Sequence, residues 1–176
     1  LNVQAFLSDV APHTPAMDRV LHSQYMSREE ECIDAIYGIF GRLFFTTDHD
    51  NWQTLLWLFG EPRTGKSLLV QHIMSYYHRD DVGIVGEMQD TFGISELCGK
   101  LLIVAPELRP GTRLPLTFLL SGVCPGEVIS APVKFKSAMR VVNTAPIFIA
   151  SNFTPASVYQ HRGDVRALGR RVVPVH

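Results

Sequence analysis

The sequence predicts an α/β fold in three layers, with helices on both faces of a central parallel sheet. Three apolar runs support this prediction, because each is short and uninterrupted, as in strands that are buried on both faces. They are residues 54–59, 101–105 and 146–150. Helical patterns separate these runs, and strands that alternate with helices form parallel sheets.

The composition is that of an ordinary globular chain, with 176 residues, 46% hydrophobic content and a net charge of −1. This length suits one domain with its own core. The charge gives no overall attraction to nucleic acid, so such a contact has to come from a local basic feature. The three cysteines form no C-x-x-C pair, which favours a reducing, intracellular compartment. No apolar run reaches the roughly 20 residues of a membrane span, so we expect no membrane partner.

Residues 1–50 are predicted to form a helical lead-in, and residues 51–176 the sheet domain. A capping box at residues 27–30 opens a lead-in helix that apolar periodicity continues to about Phe45. Further predictions are a strand over 82–88 and a closing strand after Arg171. Helices are predicted from the end of the glycine loop at residue 67 to about His78, and over 94–98, 116–120 and 164–169. Because the chain stops directly after an apolar run, we expect it to be a segment of a longer protein.

The strongest motif is G-x-x-x-x-G-K-S, which follows the first apolar run and precedes a helical pattern. Its glycines allow a tight turn whose N–H groups point at phosphate oxygens, and the helix adds the positive end of its dipole. Lys66 would supply charge to the outer phosphates, and the Ser67 hydroxyl a ligand to Mg²⁺. A chance Lys-Ser after a glycine turn is disfavoured, because spacing, residue types and flanks agree. The predicted nucleotide-binding residues are Gly60, Glu61, Pro62, Arg63, Thr64, Gly65, Lys66 and Ser67.

Polar residues follow the other two apolar runs, and ligands of parallel sheets bind beyond the carboxyl ends of the strands. Glu107 would hold Mg²⁺ through water or polarise an attacking water. Asn152 would orient that water or contact the terminal phosphate. The simpler alternatives are a solvated carboxylate for Glu107 and an Asx turn for Asn152.

Two basic features suggest further contacts. Residues 128–130 and 139–142 could pair as a hairpin, whose tip would carry Lys134, Phe135 and Lys136. Cations beside an exposed aromatic suit a nucleic-acid backbone, whereas the alternative is a solvated hairpin with Phe135 packed inward. Arginines also cluster before the closing strand, where one could reach the γ-phosphate on a neighbouring subunit or simply form surface charge. They are Arg166, Arg170 and Arg171.

The order of these motifs resembles that of the superfamily 3 helicases, the replication ATPases of DNA viruses, phages and plasmids. Residues 60–67 match motif A, 101–107 motif B, 121–136 motif B′ and 145–152 motif C. The resemblance covers roughly residues 55–175, and the preceding stretch looks like the lead-in of the poxvirus-type and phage primase–helicases. One departure is that Pro106 precedes a single acid, where many members carry two.

The resemblance implies a P-loop NTPase fold of the AAA+ type and a homo-oligomer, a hexameric ring with single-stranded DNA in its channel. It implies ATP and Mg²⁺ at the subunit interfaces, with the phosphates held by Lys66 and the metal by Ser67 and Glu107. Asn152 would be the sensor, and Arg171, with Arg170 as second choice, the arginine finger that acts on the neighbouring subunit. The hairpin residues 134–136 would grip DNA.

The sequence therefore favours an ATP-driven DNA helicase motor of viral or mobile-element replication. Two alternatives remain. One is a P-loop module that binds nucleotide and serves in assembly without unwinding. The other is a small-molecule kinase, which the lysine hairpin and the Ser151-Asn152 strand end disfavour.

Overall fold

A computed structural model of the chain describes residues 14–24, 30–86, 93–112, 114–133, 136–159 and 165–175. The chain divides into two compact units, residues 1–37 and residues 38–176. Helix α1 (Pro15–Gln24) lies in the first unit, and α2 (Glu30–Arg42) begins there and continues into the second. Tyr37 connects the two helices inside the first unit, because its hydroxyl donates to Asp18 Oδ1 at 2.5 Å. Residues 27–29 of the predicted capping box lie outside the described residues.

The second unit contains a five-stranded sheet in which every pairing is parallel, as predicted. Its strand order is β2-β3-β6-β1-β7, so β6 lies between β1 and β3. These strands are β1 (Leu55–Phe59), β2 (Val82–Ile84), β3 (Leu102–Ala105), β6 (Ile147–Ser151) and β7 (Val172–Val175).

Helices connect the sheet strands, and a separate two-stranded hairpin lies between β3 and β6 in the chain. The hairpin strands are β4 (Val128–Val133) and β5 (Lys136–Val142). The helices are α3 (Lys66–Met74), α4 (Ile94–Leu97), α5 (Leu116–Gly122), α6 (Pro155–Tyr159) and α7 (Val165–Gly169). Among the described residues, no helix has the length and apolar character needed to cross a bilayer.

Several element boundaries differ from the prediction, beginning with α2, which ends at Arg42 and not near Phe45. Helix α3 ends at Met74 and not near His78, because the Ser75 hydroxyl donates to the His72 carbonyl and closes the last turn. Strand β2 ends at Ile84, and the last two residues of its predicted range lie outside the described residues. The hairpin strands extend into the predicted loop, with a register shift at Pro132, which has no N–H to donate to the ladder.

The three central strands are buried on both faces, which explains their uninterrupted apolar sequences. Leu55, Trp57 and Ile149 belong to one core cluster, together with side chains of α4, α5, α6 and α7. The alternate residues Leu56 and Phe148 are equally buried on the other side of the pleat. Trp57 is fully buried, stands edge-on to Tyr159 at 6.4 Å, and donates from Nε1 to the Phe153 carbonyl at 3.1 Å.

We expect Trp57→Ala to lower the free energy of unfolding by about 3–5 kcal/mol, because it leaves a large cavity in the middle of β1. Trp52 provides the control, since it is 61% exposed and Trp52→Ala should change stability by less than about 0.5 kcal/mol. Urea denaturation followed by circular dichroism measures both. Similar denaturation midpoints for the two variants would contradict the central position of Trp57.

Candidate functional site

The loop between β1 and α3 turns as tightly as its glycines predict. Gly65, the residue before α3, has φ +88°, a left-handed conformation that costs glycine little. Its carbonyl accepts from the backbone N–H groups of Leu68 and Leu69 at 2.9 and 3.1 Å. Arg63 also adopts a positive φ, of 68°. The first turn of α3 therefore starts directly at Lys66, with its N-terminal N–H groups facing the loop.

Lys66 lies across this loop. Its amino group donates to the carbonyl oxygens of Gly60 at 2.9 Å and Glu61 at 2.6 Å, and to Thr64 Oγ1 at 3.2 Å. Partial burial lowers the pKa of Lys66, while the Glu61 carboxylate acts in the opposite direction. The ammonium group is thus held at the centre of the loop, where phosphate oxygens would meet it.

Strands β1, β6 and β3 are parallel, so their carboxyl ends lie at the same end of the sheet. Phe59 pairs with Ser151, so the start of the loop lies beside Asn152. Ala105 pairs with Ile149, and Glu107 therefore follows β3 at the level where β6 ends. Neighbouring strands are about 4.8 Å apart, so the ends of β1 and β3 are about two strand spacings apart, with β6 between them. The segments that carry Lys66, Asn152 and Glu107 therefore leave the same end of the sheet.

Ser151, which was not predicted as a site residue, connects two of these strand ends by hydrogen bonds. Its buried hydroxyl donates to the Leu108 carbonyl at 2.5 Å and accepts from the Phe153 N–H at 2.9 Å. The Leu108 N–H in turn donates to the Ala150 carbonyl at 3.0 Å. The segments that carry Glu107 and Asn152 are therefore fixed by hydrogen bonds, although both of those side chains are exposed.

Arg109 is a second residue to which the sequence analysis gave no function. Its Nε and Nη2 atoms donate to Oε1 of Glu107 at 3.0 and 2.5 Å. Both side chains are more than half exposed. An arginine two residues after a strand-end acid was the signal available in the sequence.

Among the described residues, no group of three or more His, Cys, Asp or Glu side chains could hold a metal by itself. Ser67 and Glu107, the predicted magnesium ligands, are both exposed near the loop edge of the sheet. Mg²⁺ usually keeps several waters and takes few protein ligands together with substrate phosphates. These two residues fit that pattern, provided that a nucleotide supplies the other oxygens.

Two of the three predicted arginines, Arg170 and Arg171, directly precede β7 and lie at the opposite end of the sheet, whereas Arg166 is exposed on α7. Arg171 precedes β7, and its carbonyl accepts from the Leu55 N–H at the start of β1. Its guanidinium donates to the Ala167 carbonyl at 3.3 Å and to Cys124 Sγ at 3.4 Å. Arg171 thus connects elements of its own chain, whereas the neighbouring Arg170 is exposed.

Strand β4 of the hairpin packs against the core through Ala131, whereas β5 is exposed along almost its whole length. Lys136 is exposed at the start of β5, where it pairs with Val133. Lys134 and Phe135, the other two predicted DNA contacts, lie outside the described residues.

Two solved structures are similar to this chain in fold. The structure titled "The A form apo structure of NrS-1 C terminal region-CTR" is similar with a TM-score of 0.60 and 12% identity. A second, titled CTR(305-718), has a TM-score of 0.59 and 14% identity. They cover 92% and 94% of this chain, which spans only 46% and 37% of theirs. Identities this low indicate a shared fold alone.

A family assignment comes from the sequence. No curated protein sequence matches the chain significantly. A family of unknown function, DUF5906, matches residues 58–171, a range that contains the phosphate loop, Glu107, the hairpin and Asn152. The chain belongs to the DUF5906 family.

Proposed function

We propose that this chain is an ATPase domain that drives a DNA helicase of the superfamily 3 type. The observation that carries the proposal is the position of β6 between β1 and β3, which brings the phosphate loop, Glu107 and Asn152 to one edge of the sheet. In a P-loop NTPase of the AAA+ type, the strands that carry motifs A, B and C have to lie side by side in this way. The sequence resemblance supplies the helicase class.

Each group has a role in hydrolysis under this proposal. The loop N–H groups and Lys66 would bind the phosphates, and Ser67 would bind Mg²⁺, which neutralises the charge that develops during phosphoryl transfer. Glu107 would polarise the attacking water, and Asn152 would orient it. Mg²⁺ would supply Lewis-acid stabilisation of the phosphate oxygens when it is bound.

The proposal includes an oligomeric ring, in which an arginine of one subunit would reach the nucleotide of its neighbour. Arg170 and Arg171 precede β7 and therefore lie at the amino edge of the sheet. A neighbouring subunit could present such a residue to the nucleotide. The exposed Arg170 suits this role better than Arg171, whose guanidinium is bound to Ala167 and Cys124.

Hydrolysis measured with and without single-stranded DNA tests the motor proposal. We expect ATP hydrolysis that DNA stimulates, and we expect Lys134→Ala with Lys136→Ala to weaken DNA binding roughly tenfold or more at low salt, because two phosphate contacts are lost. Nucleotide binding should remain intact in that variant.

Lys100→Ala is the matched control, since Lys100 precedes β3 at the other edge of the sheet and donates to the Asp80 carbonyl. It should bind DNA like the wild type. Equal DNA affinity in the hairpin variant and this control would argue against the hairpin as the DNA contact. Hydrolysis absent under all conditions would refute the motor.

A nucleotide-binding assembly module is the second candidate. It is favoured by the ion pair of Glu107, since the positive charge of Arg109 on Oε1 makes the carboxylate a weaker base toward water. The sequence around motif B, with Pro106 in place of a second acid, points in the same direction. Nucleotide binding without hydrolysis would support this candidate over the motor.

A further inference from the structure

Arg109 is attached to a rigid part of the backbone. Its N–H donates to Thr112 Oγ1 at 3.1 Å, and its carbonyl accepts from the Thr112 hydroxyl at 2.6 Å and the Thr112 N–H at 3.1 Å. Gly111, with φ +85°, allows the turn between them. The preceding residue, Leu108, is buried and hydrogen-bonded to β6. The backbone of Arg109 is therefore fixed beside the strand ends.

The guanidinium of Arg109, in contrast, is exposed and can change partners. Its ion pair with Glu107 has side-chain exposures of 64% for the arginine and 54% for the acid. Ion pairs this exposed contribute little free energy, because water solvates both charges well. A terminal phosphate offers more charge than a carboxylate and has oxygens that match the planar fork of arginine.

The strand order brings Arg109 and the loop before α3 to the same end of the sheet. Lys66 holds the centre of the phosphate loop at the end of β1, and Glu107 follows β3. Only β6 separates these strands, so two spacings of about 4.8 Å lie between them. Phosphates that extend from the loop along this edge would approach the Arg109–Glu107 pair.

We propose that Arg109 senses the terminal phosphate of a nucleoside triphosphate. Without nucleotide, its guanidinium binds Glu107; with a triphosphate bound, it binds the terminal phosphate and releases Glu107 to act on water. A diphosphate lacks the group that Arg109 recognises and leaves the ion pair intact. This inference rests on the proposed nucleotide site and assigns to it a means of distinguishing ATP from ADP.

The first test compares the affinities of fluorescent ATP and ADP analogues for the 176-residue chain. We expect Arg109→Gln to weaken ATP binding about tenfold, which is the usual loss for one charge-assisted contact, and to leave ADP binding unchanged. Arg79→Gln is the matched control, because Arg79 is exposed in the turn before β2, at the other edge of the sheet. An unchanged ratio of ATP to ADP affinity in Arg109→Gln would overturn the inference.

A double-mutant cycle with Glu107→Gln tests the exchange itself. Removing the competing carboxylate should tighten ATP binding in the presence of Arg109, and more than it does in the Arg109→Gln background. Measurements in EDTA exclude the effect of Glu107 on Mg²⁺. Equal effects of Glu107→Gln in the two backgrounds would show that Arg109 does not exchange partners.

The two proposals can fail separately. Absence of nucleotide binding by the wild-type chain would refute the nucleotide site and this inference together. Wild-type binding that Lys66→Ala removes, with an ATP to ADP ratio that Arg109→Gln leaves unchanged, would refute the inference alone.

Discussion

Lys66→Ala is expected to lower ATP hydrolysis by roughly 100- to 1000-fold, because under the proposed function it removes the cation that would stabilise the charge of the transition state. Nucleotide affinity should fall about tenfold or more for the same reason. The amino group also donates hydrogen bonds to the carbonyl oxygens of Gly60 and Glu61, so the loop of the variant should be less ordered. Hydrolysis is measured by phosphate release, and affinity with a fluorescent ATP analogue.

Two further variants test whether the loss of hydrolysis in Lys66→Ala is specific to the amino group at this position. Lys66→Arg keeps the charge but replaces a compact ammonium group with a planar fork, so it should also be impaired. Lys100→Ala removes a lysine from the other edge of the sheet and should hydrolyse ATP at the wild-type rate. If Lys66→Ala retained full hydrolysis, the phosphate loop would not be the site of the reaction.

Arg170→Ala is expected to reduce hydrolysis about 1000-fold while ATP binding is retained, if Arg170 stabilises the transition state on a neighbouring subunit. Arg171→Ala should act differently, because its guanidinium donates to Ala167 and Cys124 within its own chain. Its main effect should be a loss of about 1 kcal/mol in stability. Phosphate release and thermal unfolding measure the two effects.

Mixing variants tests whether the arginine acts across an interface. A subunit with Lys66→Ala still carries Arg170, and a subunit with Arg170→Ala still carries an intact loop. Mixed oligomers should therefore recover part of the activity that each variant lacks alone. Arg79→Ala, which removes an exposed arginine from the turn before β2, serves as the control with unchanged hydrolysis. No recovery on mixing would count against an interfacial arginine, and loss of hydrolysis in Arg171→Ala alone would favour Arg171 instead.

The sheet strands could be predicted from sequence because burial on both faces requires uninterrupted apolar residues. The ends of helices and hairpin strands were harder to predict, because the same residues are compatible with more than one local structure. Helix α3 ends four residues before the predicted end because a serine hydroxyl takes a carbonyl of its last turn, and serine is compatible with several local structures. The hairpin strands extend past Pro132 because an irregular register accommodates a residue that cannot donate.

The sequence by itself determined the glycine-rich turn between β1 and α3, the parallel sheet and the polar residues that follow its strands. Each of these depends on neighbours in the chain: the glycine spacing, the apolar runs and the residue after each run. Only the tertiary structure decided that β6 lies between β1 and β3, that Ser151 fastens the two strand ends, and that Arg109 binds Glu107. It also decided that Arg171 is bound within its own chain while Arg170 is exposed. The strand order, the Ser151 hydrogen bond and the Arg171–Cys124 contact join segments distant in sequence, which no local pattern encodes. The Arg109–Glu107 contact joins neighbours in the chain, but it depends on side-chain conformations that the sequence pattern does not fix.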